Sequence, residues 1–269
     1  MNLSYIDIHS HLNDKRFDKD LPEVLSRMEE VGVASVVVGT DKKMSEDAVA
    51  LAEKHDSLWA AVGQHPVDMP EEEFDPEFYR KLAQNERVVA IGECGFDYYW
   101  PEHGGWKNGE QEEKKRQREL FEQHIVLAEE AGKPLMIHGR PSEKSVDAYV
   151  DILEVLKRHR EVGGNVHFFA GTVEIARQFL DLGLTMSFTG VLTFTHDYDE
   201  VVKFIPLDRM HAETDAPYVA PAPHRGKRNE PAYVVEIVRA IARIRGQSED
   251  VVMRELMQNA RRVFGVELA

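Results

Sequence analysis

The chain has little cysteine and no long apolar run. Cys94 is the single cysteine among 269 residues, so no internal disulfide can form, and the sequence suits a reducing compartment. No stretch approaches the roughly 20 consecutive apolar residues that a membrane helix requires. The first apolar run starts within a few residues of Met1, which leaves no room for a secretory signal. The sequence therefore predicts a cytoplasmic globular protein with no membrane partner.

Positive charge is also scarce. The chain has 33 lysine and arginine residues against 48 aspartate and glutamate residues, which gives a formal net charge of −15. Proteins that bind a polyanion through a broad basic face draw their affinity from lysine and arginine that neutralise phosphates. A broad face of this kind is excluded, so any phosphate site must be local. Divalent cations in a carboxylate-lined pocket would supply positive charge at that place.

Strand-like and helix-like segments alternate along the chain. Eight short apolar or β-branched runs are separated by segments with helical spacing of apolar residues, such as 120–128 and 146–156. Buried strands that alternate with helices form parallel βαβ units, and eight such units in about 250 residues are typical of a closed barrel. The predicted fold is α/β, a TIM-type (β/α)8 barrel in a single domain over residues 1–269. The predicted strands are 5–8, 34–38, 58–62, 88–91, 135–137, 166–169, 184–188 and 210–212.

Two further helices are predicted after the last strand. The first begins near Asn229 as a possible N-cap, with Pro231 in its first turn, and the second begins near Ser248. The connection over residues 97–112 is long for a compact domain, and loops of this length are usually functional lids or mobile segments.

Histidines and carboxylates recur where the predicted strands end. His9 and His11 are two residues apart in an extended segment, so both imidazoles share one face and can reach one metal ion. The active site of a barrel lies at this rim, and a divalent metal is the simplest partner for several ionisable groups in one pocket. Six ligands exceed the need of one open catalytic ion, so the sequence predicts two divalent ions bridged by Glu93. The six ligands are His9 and His11 at the end of the first strand, Glu93 after the fourth strand, and three residues after later strands, His138, His167 and Asp215.

Seven short motifs then occur in order along nearly the whole chain. They are DIHSH at residues 7–11, GQHP at 63–66, GECGFDYY at 92–99, IHGR at 137–140, HFFAG at 167–171, ETDAPY at 213–218 and RGKRNEP at 225–231. In order and spacing they resemble the TatD-related metal-dependent hydrolases, a branch of the amidohydrolase-like barrels. The resemblance implies an eight-stranded barrel, a dinuclear centre and deoxyribonuclease activity. It also implies a division of the ligands, in which His9, His11 and Asp215 hold one metal ion, His138 and His167 hold the other, and Glu93 holds both.

The chain departs from the family pattern at a few positions. Cys94, Phe168 and Ala170 replace other residue types, and the loop over residues 100–112 is longer than usual. None of these is a ligand position, so the departures bear on the substrate rather than on the metal chemistry. Cys94 itself is interpreted as apolar filler rather than as a redox-sensitive neighbour of the metals.

The predicted substrate-binding residues are His65, Arg140, Arg225 and Arg228. His65 either lines the site, where it would orient a ligand or contact substrate, or is a structural histidine before Pro66. The arginines, with Lys227, could clamp a phosphate or form a solvated basic loop. Four aromatic residues could stack unpaired bases or pack within the long loop: Tyr98, Tyr99, Trp100 and Trp106. Seven histidines are interpreted as ordinary, mostly partly exposed residues: His55, His103, His124, His159, His196, His211 and His224.

The predicted reaction is hydrolysis by a metal-activated water that attacks a phosphorus or carbonyl centre. Asp215 and Glu93 are the predicted catalytic residues, with Asp215 taking the proton of the nucleophile, Glu93 bridging the metals and Glu213 assisting by hydrogen bonding. Imidazole and carboxylate ligands admit zinc, manganese or magnesium, and also cobalt or nickel.

Three functions compete. The resemblance favours a deoxyribonuclease that removes nucleotides from single-stranded DNA ends. The same metals suit a hydrolase of small amides, esters or phosphoesters, because one barrel architecture serves many substrates. A non-catalytic binding module is the third reading, although such a protein has no need of open metal positions. No obligate protein partner is inferred.

Overall fold

The computed structural model describes residues 3–68, 72–104 and 109–267. Eight strands pair in parallel with their neighbours in chain order. The last strand approaches the first through a parallel bridge between Ser10 and Ala216, and Asp215 N–H donates to the carbonyl of His9. The result is the predicted TIM-type barrel, nearly closed. The strands are β1 Tyr5–Ser10, β2 Val33–Val38, β3 Leu58–Val62, β4 Val88–Asp97, β5 Leu135–Arg140, β6 Gly164–Val166, β7 Thr185–Phe188 and β8 Met210–Ala212.

Helices alternate with the strands, and local signals define their ends. The side chains of Asp41 and Thr172 accept hydrogen bonds from backbone N–H groups in the first turns of the helices that follow them, while Gly132 ends the helix before it in the left-handed conformation. The α-helices are α1 Leu21–Val31, α2 Lys42–Lys54, α3 Pro76–Ala83, α4 Tyr99–Gly104, α5 Glu110–Ala131, α6 Asp147–Leu156, α7 Val173–Asp181, α8 Asp199–Phe204, α9 Val234–Arg245 and α10 Glu249–Phe264. Short 3-10 helices cover Gly190–Thr193, Leu207–Arg209 and Pro231–Tyr233. None of the helices in the described ranges is long and apolar enough to cross a membrane.

Several predicted boundaries are wrong. The sixth strand ends at Val166 rather than at 169, because the chain turns at Phe168, whose φ is +45°, so His167 follows the strand. Strands β1, β4 and β5 run further than predicted, and His9, Glu93 and His138 lie within them. The predicted loop over residues 97–112 contains α4.

The prediction of Asn229 as an N-cap is also wrong. Its side-chain amide donates to the carbonyls of Thr214 and Tyr218, and a 3-10 turn over Pro231–Tyr233 separates it from α9. Ser248 does occupy the N-cap position of α10, as predicted, but its side chain makes no capping hydrogen bond. Most of the core lies where the strands pack against the surrounding helices. This packing leaves the carboxyl ends of the strands free to carry polar side chains.

Candidate metal centre

The carboxyl ends of the strands surround a cavity of about 590 Å³. The structure brings together all six residues that the sequence predicts as metal ligands. Glu93, His138, His167, His11 and Asp215 line the cavity, and His9 lies fully buried beside them. The donors come from β1, β4, β5 and the segments that follow β6 and β8, which are far apart in the chain.

One group of donors forms where β1 meets the segment after β8. Nε2 of His9 lies 3.3 Å from Nε2 of His11 and 3.4 Å from Oε2 of Glu93. Nε2 of His11 lies 3.7 Å from the same Glu93 oxygen and 3.4 Å from Oδ1 of Asp215. Two imidazoles and two carboxylates therefore face one point.

A second group lies on the other side of Glu93. Its Oε1 atom lies 2.8 Å from Nδ1 of His138 and 2.9 Å from Nε2 of His167. Those two nitrogens are 3.2 Å apart. The two oxygens of Glu93 thus face different imidazole pairs, which is the arrangement that a bridging carboxylate needs.

Glycine at position 92 allows β4 to present Glu93. Gly92 has a φ of +152°, and a Cβ atom there would collide with the carbonyl oxygen of Met136 on β5. The register between β4 and β5 also shifts between Ile91 and Cys94. A residue with a side chain would therefore push the two strands apart at the point where Glu93 and His138 approach each other.

Three of the imidazoles are oriented from behind. Nδ1 of His11 lies 3.0 Å from the carbonyl of Val38, Nε2 of His138 lies 3.1 Å from Oδ2 of Asp97, and Nδ1 of His167 lies 3.4 Å from Oε1 of Glu213. The His167 contact is long and lacks hydrogen-bond geometry. Partners of this kind fix which ring nitrogen is free to bind a metal. Sequence reasoning named Glu213 but missed Asp97, whose strand-end position after Glu93 was the available signal.

A buried carboxylate holds Asp215 in place. Oδ1 of Asp7 accepts hydrogen bonds from the backbone N–H groups of Thr214 (2.8 Å) and His9 (3.2 Å), and its Oδ2 accepts one from the Thr214 hydroxyl. All three residues are fully buried. Asp215 follows directly, with a φ of +53° that is uncommon for a residue with a side chain. Asp7 therefore joins β1 to the end of β8 and fixes the backbone on both sides of the first donor group.

The charges in the centre are strongly coupled. Burial lowers the pKa of His11, but its hydrogen bond to Asp215 and the charge of Glu93 outweigh burial and raise the pKa to about 9. Burial is likewise outweighed at His138, where Asp97 and Glu93 raise the pKa to about 9. Burial raises the pKa of Glu93, yet the surrounding imidazoles, led by His167, hold it well below its usual range. The carboxylates thus favour positive charge among the imidazoles, supplied by protons or by cations.

The residues fit a pair of divalent cations. With Nδ1 of His11 directed at a carbonyl, the neutral ring presents the lone pair of Nε2, and this atom faces Nε2 of His9. Two imidazole nitrogens that face each other beside carboxylate oxygens need a proton or a cation between them, and a divalent cation satisfies both nitrogens and the carboxylates at once. Nδ1 of His138 and Nε2 of His167 face each other in the same way beside the other oxygen of Glu93. Nitrogen and carboxylate donors of this type suit zinc and other divalent first-row metals.

The predicted substrate-binding residues lie in different surroundings. His65 lines the cavity, with Nδ1 2.9 Å from Oδ1 of Asp68 and Nε2 3.7 Å from Oε1 of Glu93. Arg140 also lines the cavity. Arg225 donates to the carbonyl of Ala220, and its guanidinium lies over the ring of Phe194. Arg228 forms a bidentate ion pair with Asp20, so the positive charge that the sequence predicts for substrate binding already has a carboxylate partner.

The aromatic residues and the remaining histidines also differ in whether they are buried. Tyr98 is fully buried, so it offers no face to a base, while Trp100 lines the cavity. Trp106 lies outside the described residues. The prediction that the other histidines are mostly partly exposed is wrong for His124 and His211, which are fully buried. Cys94 is buried in the hydrophobic core, as the filler interpretation predicts.

The sequence matches the model of a known family. The family described as TatD related DNase matches residues 6–265. A Bacillus subtilis protein named "Uncharacterized metal-dependent hydrolase YabD" is 38% identical over 97% of this chain and 98% of its own. A Pantoea ananatis protein named "3'-5' ssDNA/RNA exonuclease TatD" is 32% identical over 97% of this chain and 99% of its own.

Solved structures agree in fold. The crystal structure of the Escherichia coli TatD homologue YJJV superposes with a TM-score of 0.88 at 26% identity, over 99% of this chain and 100% of that one. A TatD-family hydrolase from Entamoeba histolytica gives a TM-score of 0.82 at 23% identity, over 99% of this chain and all of that one. These likenesses cover the whole barrel, including every segment that carries a donor.

Proposed function

The chain belongs to the TatD-related DNase family, and from this premise we propose that it is a metal-dependent hydrolase that cleaves phosphodiester bonds at DNA ends. The observation that carries the proposal is the position of Glu93, whose two oxygens face two separate pairs of imidazoles. A two-metal centre is typical of enzymes that displace a group at phosphorus. The printed name of the Pantoea relative supports a single-stranded nucleic acid as the substrate.

The proposed ligands divide as the geometry suggests. His9, His11 and Asp215 would hold one ion, His138 and His167 the other, and Glu93 both. When bound, divalent ions act as Lewis acids and lower the pKa of a coordinated water toward about 7. Zinc, manganese and magnesium are the candidate metals.

The residues of the chain supply the proton transfer and the orientation. Burial raises the pKa of Asp215, but the hydrogen bond from His11 and the nearby imidazoles outweigh it and hold the pKa below its usual value, so the carboxylate is ionised near neutral pH. An ionised carboxylate at the rim of the cavity can accept the proton of the attacking water. Asp97 keeps the ring of His138 turned toward Glu93, and Glu213 lies 3.4 Å behind the ring of His167.

The size of the cavity favours a second candidate function. A volume of about 590 Å³ is that of a small-molecule site, so the same centre could hydrolyse small phosphoesters, esters or amides. The two functions share the metal chemistry and differ in what the rim of the cavity recognises.

A nuclease assay tests the proposal. Purified protein is loaded separately with Mn²⁺, Mg²⁺ or Zn²⁺ and given 5′-labelled single-stranded oligodeoxynucleotides, beside a panel of small esters and amides. We expect shortening from the 3′ end that is lost in Asp215→Asn and kept in Asp181→Asn, a matched change at an exposed position on α7. Hydrolysis of the small panel without shortening of any oligonucleotide would select the second candidate. Equal rates for Asp215→Asn and the parent, at full metal occupancy, would refute the role of Asp215.

A further inference from the structure

Trp100 is the most exposed of the large hydrophobic side chains in the described part of the protein, at 54%. It lies on α4 and lines the same cavity as the proposed metal ligands. An indole packed into a core contributes substantially to stability, so an exposed one at the rim of a polar cavity forgoes that contribution. A flat aromatic surface in this position is suited to stacking on a ligand.

Arg140 lies beside Trp100. Its guanidinium carbon is 4.0 Å from the ring centroid of Tyr99 and 4.9 Å from that of Trp100. Across residues 3–68, 72–104 and 109–267, no carboxylate lies within ion-pair distance of this guanidinium and no hydrogen bond is donated by it. Ring contacts of this kind use none of the N–H donors of a guanidinium, so those donors stay available to an anion.

Three other arginines have polar partners of a kind that Arg140 lacks among the described residues. Arg228 pairs with Asp20, and Arg16, which lies over the ring of Tyr218, pairs with Asp14. Arg225 donates a hydrogen bond to the carbonyl of Ala220. In a chain with a net charge of −15, an arginine at a cavity full of carboxylates would be expected to find such a partner. Arg140 is therefore a cation that the cavity offers to a bound anion.

The pair is fixed relative to the proposed metal ligands. Oδ1 of Asp97 accepts the backbone N–H of Trp100 at 3.0 Å, while its Oδ2 lies 3.1 Å from Nε2 of His138. Arg140 follows His138 by two residues on β5, a separation of roughly 6.5 Å along a strand. Asp97 and strand β5 thus fix the positions of Trp100 and Arg140 relative to His138, a proposed metal ligand.

We propose that Trp100 and Arg140 form a nucleotide subsite beside the metal centre, in which the indole stacks on an unpaired base and the guanidinium binds a phosphate of the same strand. The inference rests on the proposed phosphodiesterase function for its substrate class and adds the residues that recognise it. Stacking needs only a π face, so the subsite accepts any base and rejects a nucleotide that has none.

Paired substrates test the stacking half. The metal-loaded full chain receives a single-stranded oligodeoxynucleotide with normal 3′-terminal nucleotides, or the same strand with tetrahydrofuran residues replacing those nucleotides one at a time. For Trp100→Ala we expect KM to rise about tenfold on the normal strand, with little change on the strand whose missing base would have occupied the subsite. Trp100→Phe should retain most of the affinity, and Val126→Ala, at an exposed position on the outer helix α5, should match the parent.

A second pair tests the phosphate half. Arg140→Gln should raise KM about tenfold or more on the normal strand and should have no further effect on a strand whose contacted phosphate is an uncharged methylphosphonate. Arg140→Lys should recover part of the loss, because it keeps the charge without the planar fork of donors. If Trp100→Ala or Arg140→Gln weakens both members of its substrate pair equally, or neither, the subsite is refuted.

Binding separates this inference from the proposed function. Anisotropy of a fluorescein-labelled oligonucleotide reports association whether or not cleavage follows. If the parent binds the normal strand through Trp100 but cleaves nothing, the subsite stands and the phosphodiesterase proposal fails. If the parent cleaves and Trp100→Ala discriminates no better than Val126→Ala, the function stands and the subsite fails. A parent that neither binds nor cleaves refutes both.

Discussion

Thr214→Val should destabilise the protein and weaken metal binding at the proposed centre together. The Thr214 hydroxyl donates to Oδ2 of Asp7 and accepts the backbone N–H of Ala216 at 3.1 Å, and all three residues are fully buried. Valine has nearly the same shape but no hydroxyl. The substitution leaves one carboxylate oxygen and one N–H group without a partner in the interior.

The magnitude follows from those two bonds. Leaving a buried carboxyl oxygen without its hydrogen-bond partner costs about 1–3 kcal/mol, and an orphaned buried N–H costs about 1–3 kcal/mol. The added methyl group offsets about 1 kcal/mol of the loss. We expect the free energy of unfolding to fall by about 3 kcal/mol, which for a chain of this size lowers the urea midpoint by about 1 M.

The assay is urea unfolding of chelator-treated protein, followed by circular dichroism, with Thr214→Ser as the control. Serine keeps the hydroxyl and should lose only about 1 kcal/mol for the missing methyl. Because Asp215 follows Thr214 directly, metal affinity measured by titration should fall for valine and not for serine. If the two variants unfold at the same urea concentration, the hydroxyl does not have the role that its contacts indicate.

Three other perturbations have defined outcomes. His124 is buried, which lowers its pKa to about 4 from the unfolded value near 6.5, so the folded state binds the proton more weakly and stability falls as the pH drops through that window. Between pH 7 and pH 4, the difference in unfolding free energy between the parent and His124→Gln should change by about 3 kcal/mol in favour of the variant. A constant difference would contradict this prediction. Asp97→Asn removes the charge beside His138 and should reduce affinity for one of the two ions about tenfold or more in a metal titration, whereas an unchanged affinity would show that Asp97 does not orient this ligand. Chelation should lower the thermal midpoint of the parent by roughly 5 °C or more, since ions at 100 times their Kd stabilise by about 2.7 kcal/mol per site, and no shift on chelation would mean that the donors hold no ion in the folded protein.

The barrel could be predicted because its signals are local. Strands such as Leu58–Val62 are short apolar runs bounded by turn residues, and β3 and β8 have the predicted limits. The proposed metal ligands were also visible, since each stands at or near the end of such a run. A barrel brings all strand ends to one rim, so position along the strand substitutes for knowledge of the tertiary structure.

Contacts between distant segments were beyond the sequence. Arg228 lies in a basic run and is predicted to bind substrate, and nothing in the sequence indicates that Asp20, 208 residues earlier, lies 2.7 Å from it. Asparagine is a residue type that favours the N-cap position, yet the side-chain amide of Asn229 donates to two carbonyls of the preceding loop. His124 has no feature in the sequence that distinguishes it from other helical histidines, but in the structure its Nε2 accepts a hydrogen bond from the backbone N–H of Gln64. In each case a tertiary hydrogen bond outweighs the local preference.

The structure also revealed how the donors are supported. Asp7 and Asp97 occur within motifs that the sequence highlights, but nothing in the pattern separates a ligand from a residue that orients one. Their roles follow from where their oxygens point, toward Thr214 and His9 in one case and toward His138 and Trp100 in the other. Orientation of this kind depends on side-chain geometry, which strand periodicity does not contain.

The most direct test of the two-metal account is an anomalous difference map from crystals grown with Mn²⁺ or Zn²⁺. The account predicts two peaks, each about 2.0–2.3 Å from its ligand atoms and with Glu93 between them. One peak should lie against His9, His11 and Asp215, and the other against His138 and His167. A single peak, or ions bound away from Glu93, would contradict it.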